Sequence, residues 1–319
     1  MKNNNNNYQS MKNYLILATA ALALAACSNN ENEPADLTDG RVPVEFRASV
    51  GVTETRAVDQ TWSATDAIGI FMVGAGNPLL PANISEGADN IRYVADATAT
   101  GAFKPDGATI YYPMDGSGVD FYAYCPQGIV TQAETAPEEA TPANYLYAIN
   151  VAAQGDQEAL DLLYSNNVKG KKKTDKTAAL TFKHQLCKVI LTVQPGAGVA
   201  AGDMSGLTVK VNGQNTTATF DLSAGALKAD AANAADITLS KRADAYVYEA
   251  VLLPDAATGR TFEFNLNNGH DAPFTWNMDK ALTAGSKYTY TVKLNRTGVE
   301  VSGQIEAWNL EDGGKVDAN

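Results

Sequence analysis

Three cysteines and two histidines in 319 residues leave little room for metal or imidazole chemistry. His184 and His270 stand at no ligand spacing from Cys27, Cys125 or Cys187, which excludes the paired Cys/His patterns of structural zinc. Positive charge is scarce too: 24 Lys and Arg stand against 36 Asp and Glu, for a net charge of −12. So acidic a chain lacks the basic footprint that nucleic-acid phosphates or anionic lipid heads require. No apolar run reaches the roughly 20 residues that span a bilayer, and no segment holds a helical stripe beyond about three turns. G-x-S-x-G, P-loop and zinc motifs are all missing, and Asp115-Gly116-Ser117-Gly118 lacks the ligand spacing of a calcium loop. His184 alternates in phase with Leu180 and Phe182, which reads as a core position. His270 sits in Asn267-Asn268-Gly269-His270-Asp271, a hairpin turn by composition. Neither has the neighbours of a catalytic base. The chain therefore reads as a non-enzyme without cofactor or metal.

What is present begins at the N-terminus. Met11-Lys12-Asn13 is a short positive start, followed by the apolar run Tyr14 to Ala26 and then Cys27. Thirteen residues are too few to cross a membrane but suit a signal peptide, and the small pair Ala25-Ala26 suits its peptidase. Leu24-Ala25-Ala26-Cys27 resembles the bacterial lipobox, which makes Cys27 the expected lipidation site and Met11 the expected start of translation. An ordinary cleaved signal is the plainer alternative. Residues 27–40 are polar and acidic, an expected tether. Short acidic stretches after a lipidated cysteine resemble surface-export signals, so the expected location is the outer membrane, facing outward. Cys125 and Cys187 each lie inside a strand-like run and read as buried free thiols, although an oxidising envelope leaves a disulfide open.

Beyond the tether the pattern has period two. Val42, Val44, Phe46, Ala48 and Val50 face one way, while Pro43, Glu45, Arg47 and Ser49 face the other, as in a half-buried strand. Further strands are expected over 68–73, 109–112, 119–124, 145–151, 179–184 and 187–193. A second series covers 207–211, 217–222, 246–253, 261–266, 274–278, 288–294 and 299–308. Gly, Pro, Asn and Asp punctuate the gaps. The expected fold is all-β, two tandem β-sandwich domains over 41–184 and 185–312 with a polar tail at 313–319. The basic run Lys169-Gly170-Lys171-Lys172-Lys173 reads as an exposed hairpin loop in preference to a binding patch. Residues 131–143, rich in Ala, read as a loop or short exposed helix.

An ordered set of short motifs runs along the chain. It opens with Val44-x-Phe46, Thr55-Arg56-Ala57 and Trp62-x-x-x-Asp66-x-Ile68-Gly69-Ile70. It continues through Ile110-Tyr111-Tyr112-Pro113, Val119-Asp120-Phe121-Tyr122-Ala123-Tyr124-x-Pro126, Gln154, Asp161-Leu162-Leu163-Tyr164 and Leu180-x-Phe182-x-His184. It closes with Leu282-x-Ala284-Gly285-x-Lys287-Tyr288-x-Tyr290-x-Val292 and Ile305-x-x-Trp308. No single piece is specific, but the order across 42–310 is: the set resembles the fimbrillin family, the Bacteroidales type V pilus subunits made as lipoprotein precursors.

The resemblance implies two transthyretin-like sandwiches and an outer-membrane lipoprotein. It further implies that a trypsin-like or Arg-specific protease removes the first strand, whose groove a strand from a neighbouring subunit then fills. On this chain the expected cut lies between Arg56 and Ala57, and the displaced strand carries Val42, Val44, Phe46, Ala48 and Val50. Burying its four large apolar side chains is worth about 6–12 kcal/mol, so its loss would leave a marginal domain with unpaired edges. Arg47 is the rival cleavage site, shielded by lying within the strand, and the plain alternative makes Arg56 a solvated loop charge. Val299, Val301, Ile305 and Ala307 read either as a donor segment or as the last strand of their own sandwich. The other subunits of the fibre are the expected partners. A monomeric surface adhesin or glycan-binding module, using Tyr111, Tyr112, Tyr122, Tyr124, Trp276 or Trp308, is the competing reading.

Overall fold

The computed structural model describes residues 40–51, 62–132, 144–230, 232–243 and 246–308. The expectations placed on Cys27, on Arg56 and Ala57, and on the tail beyond Trp308 lie outside the described residues. The first half of the chain supplies β1 (Glu45–Val50), β2 (Ala67–Gly74), β3 (Ile91–Ala95), β4 (Ala102–Pro105), β5 (Val119–Cys125), β6 (Val130–Gln132), β7 (Tyr145–Asn150), β8 (Leu163–Ser165) and β9 (Thr177–His184). The second supplies β10 (Cys187–Pro195), β11 (Thr208–Asn215), β12 (Thr217–Asp221), β13 (Ala226–Ala229), β14 (Ala234–Thr238), β15 (Ser240–Lys241), β16 (Val247–Leu252), β17 (Arg260–Asn265), β18 (Phe274–Met278), β19 (Ser286–Asn295) and β20 (Gly298–Ala307). One helical turn, α1 (Gln157–Leu160), starts where the Asp156 carboxylate accepts the Ala159 N–H at 3.0 Å. The chain is all-β, as its periodicity predicts.

Seven strands close into a barrel in the order β1-β4-β3-β2-β5-β8-β9. β2 reads as a continuous apolar run, and β5 nearly so, because both their faces are buried; the exception in β5 is Asp120, whose carboxylate accepts the Gly76 and Gly170 N–H groups. Ile68, Ile70 and Met72 point into the barrel with Val119, Phe121 and Ala123; Phe71, Val73, Tyr122 and Tyr124 point out of it into a second core. That outer face is covered by the sheet β13-β12-β7-β6. Phe71 meets Tyr145 at 4.6 Å and Tyr164 meets Phe220 at 5.0 Å between ring centroids.

The remaining strands form two facing sheets, β15-β16-β10-β19-β20 and β14-β11-β17-β18. Val189, Leu191, Tyr288 and Val292 from one layer share a core with Val209, Val211, Phe262 and Phe264 from the other. Trp276 of β18 meets Tyr290 of β19 edge-on at 4.8 Å across the gap. At the boundary expected from the sequence, β9 ends at His184 and β10 begins at Cys187. The covering sheet nevertheless draws strands from both sides of it, since β7 pairs with β12 from Leu146↔Asp221 to Asn150↔Thr217.

The expected strand at 109–112 is a single antiparallel bridge, Pro43↔Tyr111. Proline lacks the N–H a longer ladder needs at position 43, and Pro113 ends the segment. β3 and β4 go unread in the sequence because each is short and carries Arg, Lys or Pro within it. Cys125 and Cys187 are both buried free thiols. Burial raises both their pKa values, and Cys187 donates to the Leu252 carbonyl at 3.2 Å.

Gln154 shows how side chains finish the sheets. β16 meets β15 only at Tyr248 and Glu249, so the outward backbone groups of Val251 have no strand to pair with there. The buried Gln154 amide supplies both partners: Nε2 donates to the Val251 carbonyl at 3.0 Å, and Oε1 accepts the Val251 N–H at 2.8 Å. Gln154→Ala strands both groups and is expected to lower stability by about 2–4 kcal/mol, measured by chemical denaturation.

Candidate functional site

β1 is the only barrel strand among the described residues that enters from the N-terminal side of the 52–61 segment, which carries Arg56 and Ala57. It lies parallel to β9, in register from Glu45↔Thr177 to Val50↔Phe182, and antiparallel to β4 at Phe46↔Phe103 and Arg47↔Ala102. Its side chains alternate as the sequence predicts. Val44, Phe46 and Val50 are buried, Val42 and Ala48 half-buried, and Glu45, Arg47 and Ser49 exposed. Phe46 is 2 % exposed, edge-on to Tyr93 at 4.9 Å and to Phe121 at 5.3 Å. Such edge-to-face pairs add to the area term.

The backbone of this segment is bonded along both edges. Toward β9, the Glu45 N–H reaches the Lys176 carbonyl at 3.0 Å, and the Gly51 N–H reaches the Phe182 carbonyl at 3.0 Å. On the opposite edge β4 covers only the middle, and other groups complete the row. Tyr112 N–H donates to the Val42 carbonyl at 2.9 Å, and Val44 N–H donates to the Ile110 carbonyl at 2.9 Å. The 109–112 segment is itself held by the Tyr93 hydroxyl, which accepts the Ile110 N–H at 2.8 Å. Ala48 N–H donates to the Gly101 carbonyl at 2.7 Å. Last, the Trp62 indole donates to the Ala48 carbonyl at 3.1 Å. Trp62 is marked in the sequence as a member of the ordered motif Trp62-x-x-x-Asp66, but nothing local there shows that it bonds β1.

The candidate donor segment lies elsewhere. β20 is an edge strand of its sheet, paired with β19 over ten residues from Ser286↔Ala307 to Asn295↔Gly298. Val299 and Val301 pack partly buried on the core, whereas Ile305 and Ala307 are exposed. Gly303 lies beneath Tyr290: an added Cβ would stand 2.1 Å from the ring, so no other residue fits there. Just past β20, Trp308 is buried and its N–H donates to the Gly285 carbonyl at 2.7 Å. Its indole stacks on His184 at 4.1 Å, and His184 Nδ1 is 2.9 Å from an Asp161 carboxylate oxygen. His184 is thus a core histidine linking β9 to the end of β20, in keeping with its phase. His270 is largely exposed beside Asp271, at 3.2 Å.

The basic run lies in the β8–β9 connection, and three of its four lysines have partners. Lys169 sits 3.9 Å over the Tyr122 ring, Lys171 pairs with Asp175, and Lys173 donates to the Met114 carbonyl. Among the described residues no group of three or more His, Cys, Asp or Glu is placed to hold a metal, and no helix is long and apolar enough to cross a membrane.

A barrel with a covering sheet, followed by two facing sheets, defines an all-β protein of the β-sandwich type. The fimbrillin-like family profile matches residues 55–308, and the chain belongs to that family of fimbrial subunits. A candidate fimbrium subunit of Bacteroides uniformis, Fim1C, is 33% identical over 318 residues, which is 97% of this chain and 99% of that one. The crystal structure of a candidate cell adhesion protein from the same species superposes with a TM-score of 0.70 at 34% identity, covering 85% of this chain and 100% of that chain. A cell adhesion candidate from Bacteroides ovatus shares the fold, with a TM-score of 0.62 at 20% identity over 85% of this chain and 99% of that one.

Proposed function

We propose that this chain is a fimbrial subunit exported as a lipoprotein through Cys27 and matured by cleavage between Arg56 and Ala57. Maturation removes β1, and a strand of another subunit takes its place. The observation that carries this reading is the setting of β1, hydrogen-bonded on both edges and buried on one face, yet joined covalently to the rest of the barrel only through residues 52–61. Once that tie is cut, nothing covalent favours the chain's own strand over an incoming one, and both ladder edges and the apolar pockets are open to augmentation.

On this reading the chain holds two transthyretin-like domains over 41–184 and 185–312, the first built on the barrel and the second on the two facing sheets, with β12 and β13 of the second lending strands to the sheet that covers the barrel. The ten-residue ladder of β20 and the burial of Trp308 favour Val299, Val301, Ile305 and Ala307 as a strand that stays in its own sheet. The subunit then accepts a strand without giving one, which suits a tip or accessory position. Treating the purified full chain with an Arg-specific protease and mixing it with shaft subunits should give complexes that survive mild denaturant. A cut chain that stays monomeric in that mixture would favour a monomeric surface adhesin instead.

A further inference from the structure

We propose that Trp62 is a specificity-determining residue of the β1 groove: it selects a strand with a small side chain at the Ala48 position and clamps that residue's carbonyl. The inference rests on the strand-replacement reading and adds the chemistry of the incoming partner.

The edge of β1 that faces β4 is unevenly paired. β4 begins at Ala102, so beyond the antiparallel pair Arg47↔Ala102 no strand remains to pair with β1 on that side. Two groups take over. The Gly101 carbonyl accepts the Ala48 N–H at 2.7 Å, and the Trp62 indole N–H donates to the Ala48 carbonyl at 3.1 Å. Gly101 has φ +69°, and a Cβ there would stand 2.9 Å from the Ala48 carbonyl oxygen. That oxygen is therefore held in a slot with glycine on one side and indole on the other. A side chain has replaced a strand as the donor, so the slot belongs to the acceptor and persists when β1 leaves.

The same indole limits what side chain can enter. Phe103 stands opposite Phe46 and Phe182 opposite Val50, so their rings bracket the Ala48 position on the inner face. Trp62 fills that bracket, edge-on to Phe103 at 5.0 Å and to Phe182 at 5.5 Å, and packs on the barrel core. Large side chains, Val, Phe and Val, are buried at positions 44, 46 and 50, whereas at 48 the strand carries only a half-buried methyl group packed on the same core as Trp62. The occupant this describes is an extended segment of another subunit, parallel to β9, with large apolar residues at alternate positions and Gly, Ala or Ser at the third. A larger side chain there would overpack the bracket, and a strand slipped by one residue would turn its apolar face outward. Trp62 thus sets the register as well as the sequence.

The test uses the full chain with one specific protease site inserted between Gly51 and Trp62, so that nicking does not depend on Arg56. A labelled peptide of the sequence Val42–Val50 is the probe, beside its Ala48→Leu version, and uptake into the nicked chain is followed by fluorescence anisotropy. The native peptide should displace the resident strand, and the Ala48→Leu peptide should bind about tenfold more weakly or worse. Trp62→Phe, which keeps a ring but loses the donor, should weaken the native peptide about fivefold to tenfold while preserving the preference for Ala. Trp62→Ala should bring the two peptides to near parity. Equal binding of both peptides to the unsubstituted chain, or unchanged affinity in Trp62→Phe, overturns the assignment to Trp62 alone. Failure of the nicked chain to take up either peptide overturns strand replacement itself.

Discussion

Phe46→Ala is expected to destabilise the protein by about 3–5 kcal/mol, a large part of the 5–15 kcal/mol that holds a typical domain together. The side chain is 2 % exposed and closes the barrel against Tyr93 and Phe121, opposite Phe103. Removing the ring leaves three aromatic neighbours around a void that a closed seven-stranded barrel cannot readily collapse. Equilibrium denaturation in urea measures the change. Arg47→Ala serves as the control: the next residue on the same strand points outward, and its loss should stay within about 0.5 kcal/mol. An equal effect from both would mean that β1 contributes through its backbone and not through its buried face. If Phe46→Ala proved neutral, the strand would not be the keystone that the proposed maturation requires.

The second large effect is all-or-none. Arg56→Ala should stop maturation and leave a lipidated precursor that still holds β1. Arg47 offers no substitute site although its side chain is exposed, because the backbone around it is bonded to β9 and β4 at once. A protease needs an extended, unpaired stretch of chain, and a residue in the middle of two ladders does not offer one. Immunoblotting of surface fractions reads the result directly: a single precursor band in the mutant and a shorter mature band in the parent. Normal fibres from the Arg56→Ala strain would place the cut elsewhere or remove it from the account.

Both predictions rest on a strand that was legible in the sequence. The alternation from Val42 to Val50 is clear because one face is buried and the other wet, and a period of two records that difference residue by residue. Its register against β9 was not legible. Parallel pairing of Glu45 with Thr177 joins residues 132 positions apart, and neither segment carries a local trace of the other. The covering sheet escaped for the same reason, since β7 and β12 meet across the expected boundary. β3 fell below the threshold of pattern reading because Arg92 interrupts a five-residue strand flanked by Asn90 and Asp96.

Trp62 and Gln154 stand among the motif residues, but the partners they bond were not legible, because each acts through isolated long-range side-chain bonds. Trp62 reaches a carbonyl fourteen positions away, and Gln154 reaches a strand ninety-seven positions away. Such bonds leave no periodicity. By contrast, the phase of His184 with Phe182 and Leu180 was enough to place it inside, though not to reveal that Trp308 stacks on it. Burial follows from local pattern; partners follow from topology.

The central claim is that β1 is a removable strand, and the N-terminal sequence and intact mass of the protein recovered from the cell surface test it most directly. The account predicts a chain that begins at Ala57, without lipid, and is already in that form before any protease is added. A chain that still begins at acylated Cys27 and resists added Arg-specific protease would contradict it, leaving β1 a permanent part of the barrel.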